Sequence, residues 1–230
     1  MEHGFSWVTQ IPGLMLLEPH TSTALLVMVM ILLFAVRARQ QLAAASDVAV
    51  PAKGFSARNV AEVLVEFITN LSESVIGHDG PKYVPLFASF FVFILVANLI
   101  GLIPGFSPPT DNFNVTLALG VVSFVAYNTY GVQAHGLAYL KQFVGPLLAL
   151  APLMIIVELF SHVFRPASLA MRLYGNMFAD HLLLGIFTDL TKLLIPVIFY
   201  LLGTFVSFLQ ALVFTLLSMV YVALAISHDH

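Results

Sequence analysis

The sequence predicts an all-α membrane protein with five transmembrane helices and one amphipathic helix at the membrane interface, and two observations carry that prediction. Of its 230 residues, 60% are hydrophobic and only 9% are charged, whereas a soluble domain carries about 25% charged residues. So few charges cannot cover the surface of a globule, which excludes a soluble enzyme. The apolar residues also fall into runs of about 20, the length that crosses a bilayer as a helix.

The net charge, the cysteine content and the lack of repeats argue against three further classes of protein. The net charge of −3 predicts no nucleic-acid partner, and the absence of cysteine excludes a disulfide scaffold. No internal repeat is visible, which argues against an inverted-repeat transporter. We expect one integral membrane domain over residues 1–230.

The first predicted span covers residues 23–36 and is followed by Arg37 and Arg39. An uncleaved signal peptide is the alternative interpretation. In a signal peptide, however, the basic residues precede the apolar run and a small-residue cleavage site follows it. Neither feature is present here, and we therefore interpret this segment as a transmembrane helix.

Residues 56–76 predict an amphipathic helix. Apolar residues recur with a 3.6-residue period, Ser56 is a suitable N-cap, and Glu62, Glu66 and Glu73 occupy the other face. Three carboxylates argue against a membrane span. The pattern fits a helix on the membrane surface or one packed on a partner subunit, and these two interpretations are compatible.

Four further spans follow. The second covers residues 85–103 and ends in a Pro- and Gly-rich turn, and the third covers residues 113–130 and contains enough polar residues to face protein. Residues 143–187 and 190–226 are each longer than a perpendicular crossing needs, so we expect a tilted hairpin over residues 143–226.

Basic residues predict the orientation. Six of the nine Lys and Arg flank the first three spans on one side, which the positive-inside rule assigns to the cytoplasm. With five spans, the N-terminus is then outside and the C-terminus is cytoplasmic.

Residues 157–181 concentrate ionisable side chains within a predicted span: two Arg, one Glu, one Asp and two His. An Arg at mid-bilayer costs about 2.5–3.5 kcal/mol, so ionisable residues there must face water or protein. Projection at about 100° per residue places five polar residues on one stripe, with Asp180 and His162 at its borders and His181 on the opposite side. The stripe consists of Glu158, Arg165, Ser168, Arg172 and Asn176.

Structural roles compete with functional ones for these residues. Arg172 has long apolar stretches on both sides and cannot easily extend to the interface, which favours function. Arg165 lies beside Pro166 and either pairs structurally, for example with Glu158, or takes part in transport. His162 alone is more typical of a satisfied interior histidine, whereas His181 together with Asp180 is a better candidate for proton transfer.

Amide side chains in this helix and in other helices are further candidate site residues. Asn176 is placed to cap the Arg172 guanidinium. Gln210, in a weaker polar stripe that includes Tyr221, either joins helices or bonds toward Arg172. In the second span, Asn98 is the lone polar residue near Gly101. No metal-binding or nucleophile motif is present, so we predict no metal, no cofactor and no covalent catalysis.

Several of these segments resemble subunit a of F-type ATP synthases. The most specific element is M-R-L-Y-G-N-M-F-A-D-H at 171–181, preceded by F-R-P-A-S-L-A. Further matches are A-N-L-I-G-L-I-P at 97–104, N-V-T-L-A-L-G at 114–120 and F-L-Q-A-L-V-F at 208–214.

The resemblance implies a noncatalytic, proton-translocating stator subunit whose final hairpin faces a ring of c subunits. Its other partners would be the peripheral-stalk b subunits, further ATP synthase subunits and the lipid bilayer. Arg172 matches the family's essential arginine, standing between two aqueous half-channels. The implied inlet uses Asn98, Asn176, Asp180, His181 and Gln210, and the implied outlet uses Glu158, His162, Ser168 and Tyr221.

Two positions depart from the family pattern. A titratable residue usual in the final helix is Gly203 here, and a carboxylate that some relatives carry in the 97–104 turn is Gly101. The inlet is therefore expected to depend on Asp180 with His181. We expect a bacterial inner membrane rather than a mitochondrial one. A free-standing channel or secondary transporter is the alternative function, and a structural membrane anchor is a third.

Overall fold

A computed structural model describes residues 18–45, 54, 56–136, 139, 151–190 and 194–227. All regular structure in these residues is helical. Six α-helices follow one another along the chain: α1 Pro19–Ala43, α2 Ala57–Ile76, α3 Val84–Gly101, α4 Phe113–His135, α5 Ala151–Leu190 and α6 Leu194–Ile226. Short 3₁₀ turns at Gly80–Tyr83 and Pro109–Asp111 flank α3 and precede α4.

The prediction of an all-α membrane protein with five spans is confirmed. Among the described residues, five helical stretches are long and apolar enough to cross a membrane, and α2 is not one of them. The first helix starts earlier than predicted because Pro19 suits the first helical position, where an N–H would be unpaired anyway. Residues 143–150 and 191–193, which belong to the predicted hairpin, lie outside the described residues.

The predicted cap of α2 is confirmed. The Ser56 hydroxyl accepts a hydrogen bond from the Asn59 backbone N–H at 3.2 Å, and Gly77 with φ of 88° ends the helix. The side-chain oxygen of Gln41, near the end of α1, accepts a further N–H bond from Arg58 at 3.0 Å. The bond from Arg58 to Gln41 joins α2 to α1, while Phe67 packs on Phe91 of α3 with ring centroids 5.8 Å apart.

The core lies between α3, α4, α5 and α6. Phe87, Ile94, Leu173 and Phe214 are all fully buried in one apolar cluster. In contrast, α1 and the outer faces of α5 and α6 expose large apolar side chains, such as Leu201, which is 70% exposed. A soluble protein would not present such faces to water, so we assign them to lipid or to partner subunits.

The final two helices form a hairpin that packs closely on α4. The rings of Phe187 and Phe199 stack at 4.4 Å near its tip. α5 stays helical on both sides of Pro166. α4 approaches at this point through Gly120, where a Cβ would lie only 2.7 Å from the Pro166 carbonyl oxygen. The close contact between α4 and α5 therefore requires glycine at position 120.

Candidate functional site

Arg172 lies on an exposed part of α5, although its neighbour Leu173 is fully buried in the core. Within the described residues, its guanidinium takes part in no ion pair or hydrogen bond. Arginine stays protonated in proteins. The helix therefore presents an uncompensated positive charge on the outer face of the hairpin, in the middle of a segment long and apolar enough to span a membrane.

The two amides near Arg172 bond to each other. Asn176 donates from Nδ2 to Oε1 of Gln210 at 2.8 Å, which joins α5 to α6. The interpretation of Gln210 as a residue that joins helices is thus confirmed. The expected capping of the guanidinium by Asn176 is not observed, because no hydrogen bond joins Arg172 to the Asn176 Oδ1 within the described residues.

Arg165, in contrast, has partners. Its Nη2 lies 3.4 Å from Oε1 of Glu158, with the two side chains 22% and 29% exposed. Its guanidinium carbon also lies 5.7 Å from the ring centroid of Tyr221, within reach of a cation–π contact. The structural pairing considered for Arg165 and Glu158 is therefore confirmed.

His162 belongs to the same region, which we call the Arg165 cluster: Glu158, His162, Arg165, Tyr221, Tyr127, Asn128 and Tyr139. Nε2 of His162 lies 2.8 Å from Oδ1 of Asn128, whose Nδ2 donates to the Phe124 carbonyl. An amide oxygen only accepts, so Nε2 carries the proton.

Tyr139 completes this network from the segment after α4. Its hydroxyl donates to Oδ1 of Asn128 at 3.1 Å. Burial raises the pKa of Tyr139, which keeps the phenol protonated and able to donate. The ring packs over Gly131, where a Cβ would lie 2.4 Å from it. His162 is consequently an interior histidine with hydrogen-bonded neighbours, as its isolated position predicted.

A second polar region lies beyond Arg172, toward the end of α5. We call it the Asp111 cluster: Asn98, Thr110, Asp111, Asp180 and His181. Nδ1 of His181 lies 3.1 Å from Oδ2 of Asp111, and the Thr110 hydroxyl donates to Oδ1 of Asn98 at 2.7 Å. The expectation that His181 faces away from the polar stripe is confirmed.

No hydrogen bond joins His181 to Asp180 within the described residues, and their joint role in proton transfer stays a prediction. Consecutive residues on a helix diverge by about 100°, so the two side chains leave α5 in different directions. Asp180 is buried against α6, where a Cβ on Gly203 would lie 2.7 Å from Oδ2 of Asp180 and 2.7 Å from Cδ2 of Leu102. The carboxylate thus occupies space that a side chain at position 203 would need.

Sequence reasoning missed Asp111 and Thr110. The turn that contains them was interpreted only as the boundary between two spans. A carboxylate next to a Pro-Pro pair between spans was an available signal, but its proximity to His181, 70 residues later, depends on how the helices pack.

Ser168, another predicted site residue, forms its side-chain hydrogen bonds within its own helix. Its hydroxyl donates to the Phe164 and Arg165 carbonyls of its own helix at 2.8 and 3.1 Å. It lies on the same exposed side as Arg172. Across the described ranges, no group of three His, Cys, Asp or Glu residues is arranged to hold a metal ion.

Comparison with known proteins agrees with the family resemblance seen in the sequence motifs. A family model described as ATP synthase A chain matches residues 21–223. A protein of Bdellovibrio bacteriovorus named ATP synthase subunit a is 46% identical over 227 residues, covering 98% of this chain and 99% of that protein. Proteins of the same name from Trichlorobacter lovleyi and Geobacter sulfurreducens are 46% and 45% identical over 173 residues, 75% of this chain.

Proposed function

The chain belongs to the ATP synthase A chain family, and from this premise we propose that it is the proton-conducting stator subunit of the synthase's membrane sector. In this proposal the α5–α6 hairpin faces a ring of c subunits. The b subunits of the peripheral stalk and other ATP synthase subunits hold the chain in place. The chain is a component of the complex and not itself its catalyst.

One observation carries the proposal: Arg172 is exposed and has no counter-ion among the described residues. A permanent charge in an apolar segment needs water or a partner charge. A carboxylate on each passing rotor subunit supplies that charge in trans. The carboxylate crosses lipid protonated and neutral, and it loses its proton when it meets Arg172.

The two polar clusters provide water-accessible routes on either side of the arginine. Arg172 lies between them along α5, about 20 Å from Glu158 and about 13 Å from His181 at 1.5 Å per residue. The inlet comprises the Asp111 cluster together with Asn176 and Gln210. The outlet comprises Glu158, His162, Ser168 and Tyr221.

Arg172 separates these two routes electrostatically. Because a guanidinium does not release its proton, it repels protons and prevents a direct leak between the half-channels. A proton must instead board a rotor carboxylate, travel around with the ring and leave on the other side. Each charge moved across 100 mV supplies about 2.3 kcal/mol, which drives the rotation.

Orientation and location follow from the basic residues and the relatives. The concentration of Lys and Arg around the first three spans supports a cytoplasmic C-terminus and an external N-terminus. The relatives named above are bacterial. We therefore place the chain in a bacterial inner membrane.

The proposal is tested by Arg172→Ala in the assembled synthase, measured as ATP synthesis and ATP-driven proton pumping in inverted membrane vesicles. We expect coupled synthesis to be abolished and a passive proton leak to be permitted. The control is Met171→Ala, which shortens the adjacent exposed side chain without touching the charge. Full synthesis in Arg172→Ala would refute the assignment.

Reconstitution separates this proposal from the alternative of a free-standing channel or transporter. A stator subunit conducts protons only beside its ring, so the purified chain alone in liposomes is expected to be inactive. Proton flux from the chain alone would favour the alternative.

A further inference from the structure

Along α6, the polar contacts of the proposed inlet are interrupted between Gly203 and Gln210. Gly203 lies against the Asp180 carboxylate, and Gln210 accepts from Asn176. Seven residues of helix separate these two points, a rise of about 10 Å. On α5 the partners Asn176 and Asp180 are one turn apart, a rise of about 6 Å, and no hydrogen bond joins their side chains within the described residues.

Ser207 is the polar residue of α6 that lies within this break. It is fully buried and falls on the same inward-facing side as Gly203 and Gln210. Its hydroxyl has no hydrogen-bond partner among the described residues. Two other hydroxyls on α6 differ, because Thr204 and Thr215 both donate to the carbonyl four residues earlier, at 2.8 Å.

Asn98 of α3 lies at the same level of the α3–α6 contact as Ser207. Leu102 approaches Gly203 at one end of the α3–α6 contact, and Phe90 meets Phe214 edge-to-face at the other, with ring centroids 5.5 Å apart. Asn98 is one turn before Leu102, and Ser207 is one turn after Gly203. In this antiparallel pair those steps bring Asn98 opposite Ser207.

Asn98 is also incompletely bonded. Its Oδ1 accepts from Thr110, but its Nδ2 is fully buried and unpartnered within the described residues. Nearby, Oδ1 of Asp111 is buried and unpartnered as well. Buried polar atoms are nearly always hydrogen-bonded in native proteins, frequently to ordered water. Two fully buried polar side chains at one level of the α3–α6 contact therefore indicate a shared small polar ligand.

We propose that the contact between α3 and α6 is a binding site for ordered water, held by the Asn98 amide and the Ser207 hydroxyl, and that Ser207 is the hydrogen-bonding step between Asp180 and the Asn176–Gln210 pair. The role in proton delivery rests on the function proposed above, whereas the water site does not. Water suits the site because one molecule accepts from an amide N–H and bonds a hydroxyl at the same time.

The transfer through this step conserves charge. A water on the Asp180 side that carries the excess proton passes it to the Ser207 oxygen and becomes neutral, while the original Ser207 proton passes to a water on the Gln210 side. The hydroxyl is neutral before and after the transfer. Ser207 is accordingly a positioning and relay residue that does not contact the rotor carboxylate.

The proposal is tested in the complete synthase with Ser207→Ala and Ser207→Thr, measured as ATP synthesis per assembled complex. We expect Ser207→Ala to be slower by about tenfold, the factor that one hydrogen bond contributes to a rate, and to show an altered solvent isotope effect. Ser207→Thr keeps the hydroxyl and is expected to retain most of the activity. The control is Thr215→Val, which removes a buried hydroxyl of α6 that already bonds to its own helix.

An unchanged rate in Ser207→Ala, or an equally slow Ser207→Thr, would overturn the relay. The water site has its own measurement, a density map of the intact complex at a resolution that shows ordered water. Density between Asn98 and Ser207 supports the site even if Ser207→Ala fails to assemble, and its absence overturns the site. Retained synthesis in Arg172→Ala would instead refute the proposed function and leave the density result standing.

Discussion

Two arginines of α5 lie seven residues apart on nearly the same helix face, yet their surroundings differ. Arg165 contacts Glu158 and the Tyr221 ring and is mostly buried. Arg172 is exposed and has no counter-ion among the described residues. An internally neutralised arginine contributes to the architecture of the chain. An unneutralised one requires a charge from outside, which under the proposed function a rotor carboxylate supplies.

This difference shows that position on a helical stripe does not assign a role. Both residues satisfy the same periodicity and the same argument about intramembrane charge. What separates them is whether another helix supplies a carboxylate or a ring.

The largest effect is expected from exchanging each arginine for lysine. Arg172→Lys should lower coupled ATP synthesis by about a hundredfold or more, because an ammonium can lose its proton and lacks the planar fork. Arg165→Lys should stay within about fivefold of the native rate, since a partly exposed ion pair contributes about 1 kcal/mol. Equal losses in both variants, measured per assembled complex, would remove the distinction between the two sites.

A smaller effect is expected at the far end of α5, where His181 contacts Asp111. Histidine as a residue type changes charge between about pH 5 and 8. His181→Ala should therefore alter how proton flux depends on external pH, and Asp111→Asn should shift that dependence less, since the imidazole remains. Flux is measured in oriented vesicles with Thr188→Ala as the control. An unchanged pH profile in His181→Ala would exclude this residue from the path.

A double-mutant cycle tests the neutralised arginine. Glu158→Gln alone leaves a mostly buried guanidinium without its carboxylate and should destabilise the complex by about 1–2 kcal/mol. Adding Arg165→Gln should recover part of that loss, because the uncompensated charge is then removed. The measurement is the temperature at which the chain dissociates from the purified complex. Strict additivity would mean that the 3.4 Å contact carries no energy.

The smallest effect is expected at an exposed ion pair, where water screens the charges much more than it does around Arg165. Lys82 donates to Asp79 at 2.6 Å, and this bond and charge hold the pKa of the Asp79 carboxyl below its ordinary value. A lowered pKa in the folded state means that the stabilisation is present above about pH 4 and lost as the pH falls further. Because both side chains are exposed, this stabilisation is too small to move the dissociation temperature measurably, and Asp79→Asn should leave that temperature unchanged within error at neutral pH. A clear decrease would show that this connection between α2 and α3 is more than a surface contact.

Much of the fold could be predicted because its signals are local. Apolar runs of sufficient length, the Ser56 cap and the amphipathic period of residues 56–76 each depend on a few neighbouring residues, and the structure reproduces them. The polar stripe of α5 is equally local, because it follows from 3.6 residues per turn. The resemblance around Arg172 depended on a short stretch of sequence as well.

The partners of those polar residues could not be predicted in the same way. Asp111 meets His181, and Asn176 meets Gln210, across 70 and 34 residues of chain. Such pairs depend on the depth and rotation of each helix against its neighbours, and a shift of one residue turns a side chain by about 100°.

Hydrophobicity and helical period act within one segment, so the protein class, the number of spans and the helix that carries the charges could all be predicted from the chain alone. The folded structure was needed to show which arginine is neutralised, why Asp180 needs glycine at position 203, and that the Ser207 hydroxyl and the Asn98 Nδ2 are buried without partners in the described residues. Those outcomes depend on packing between helices that are distant in sequence, which no single segment encodes.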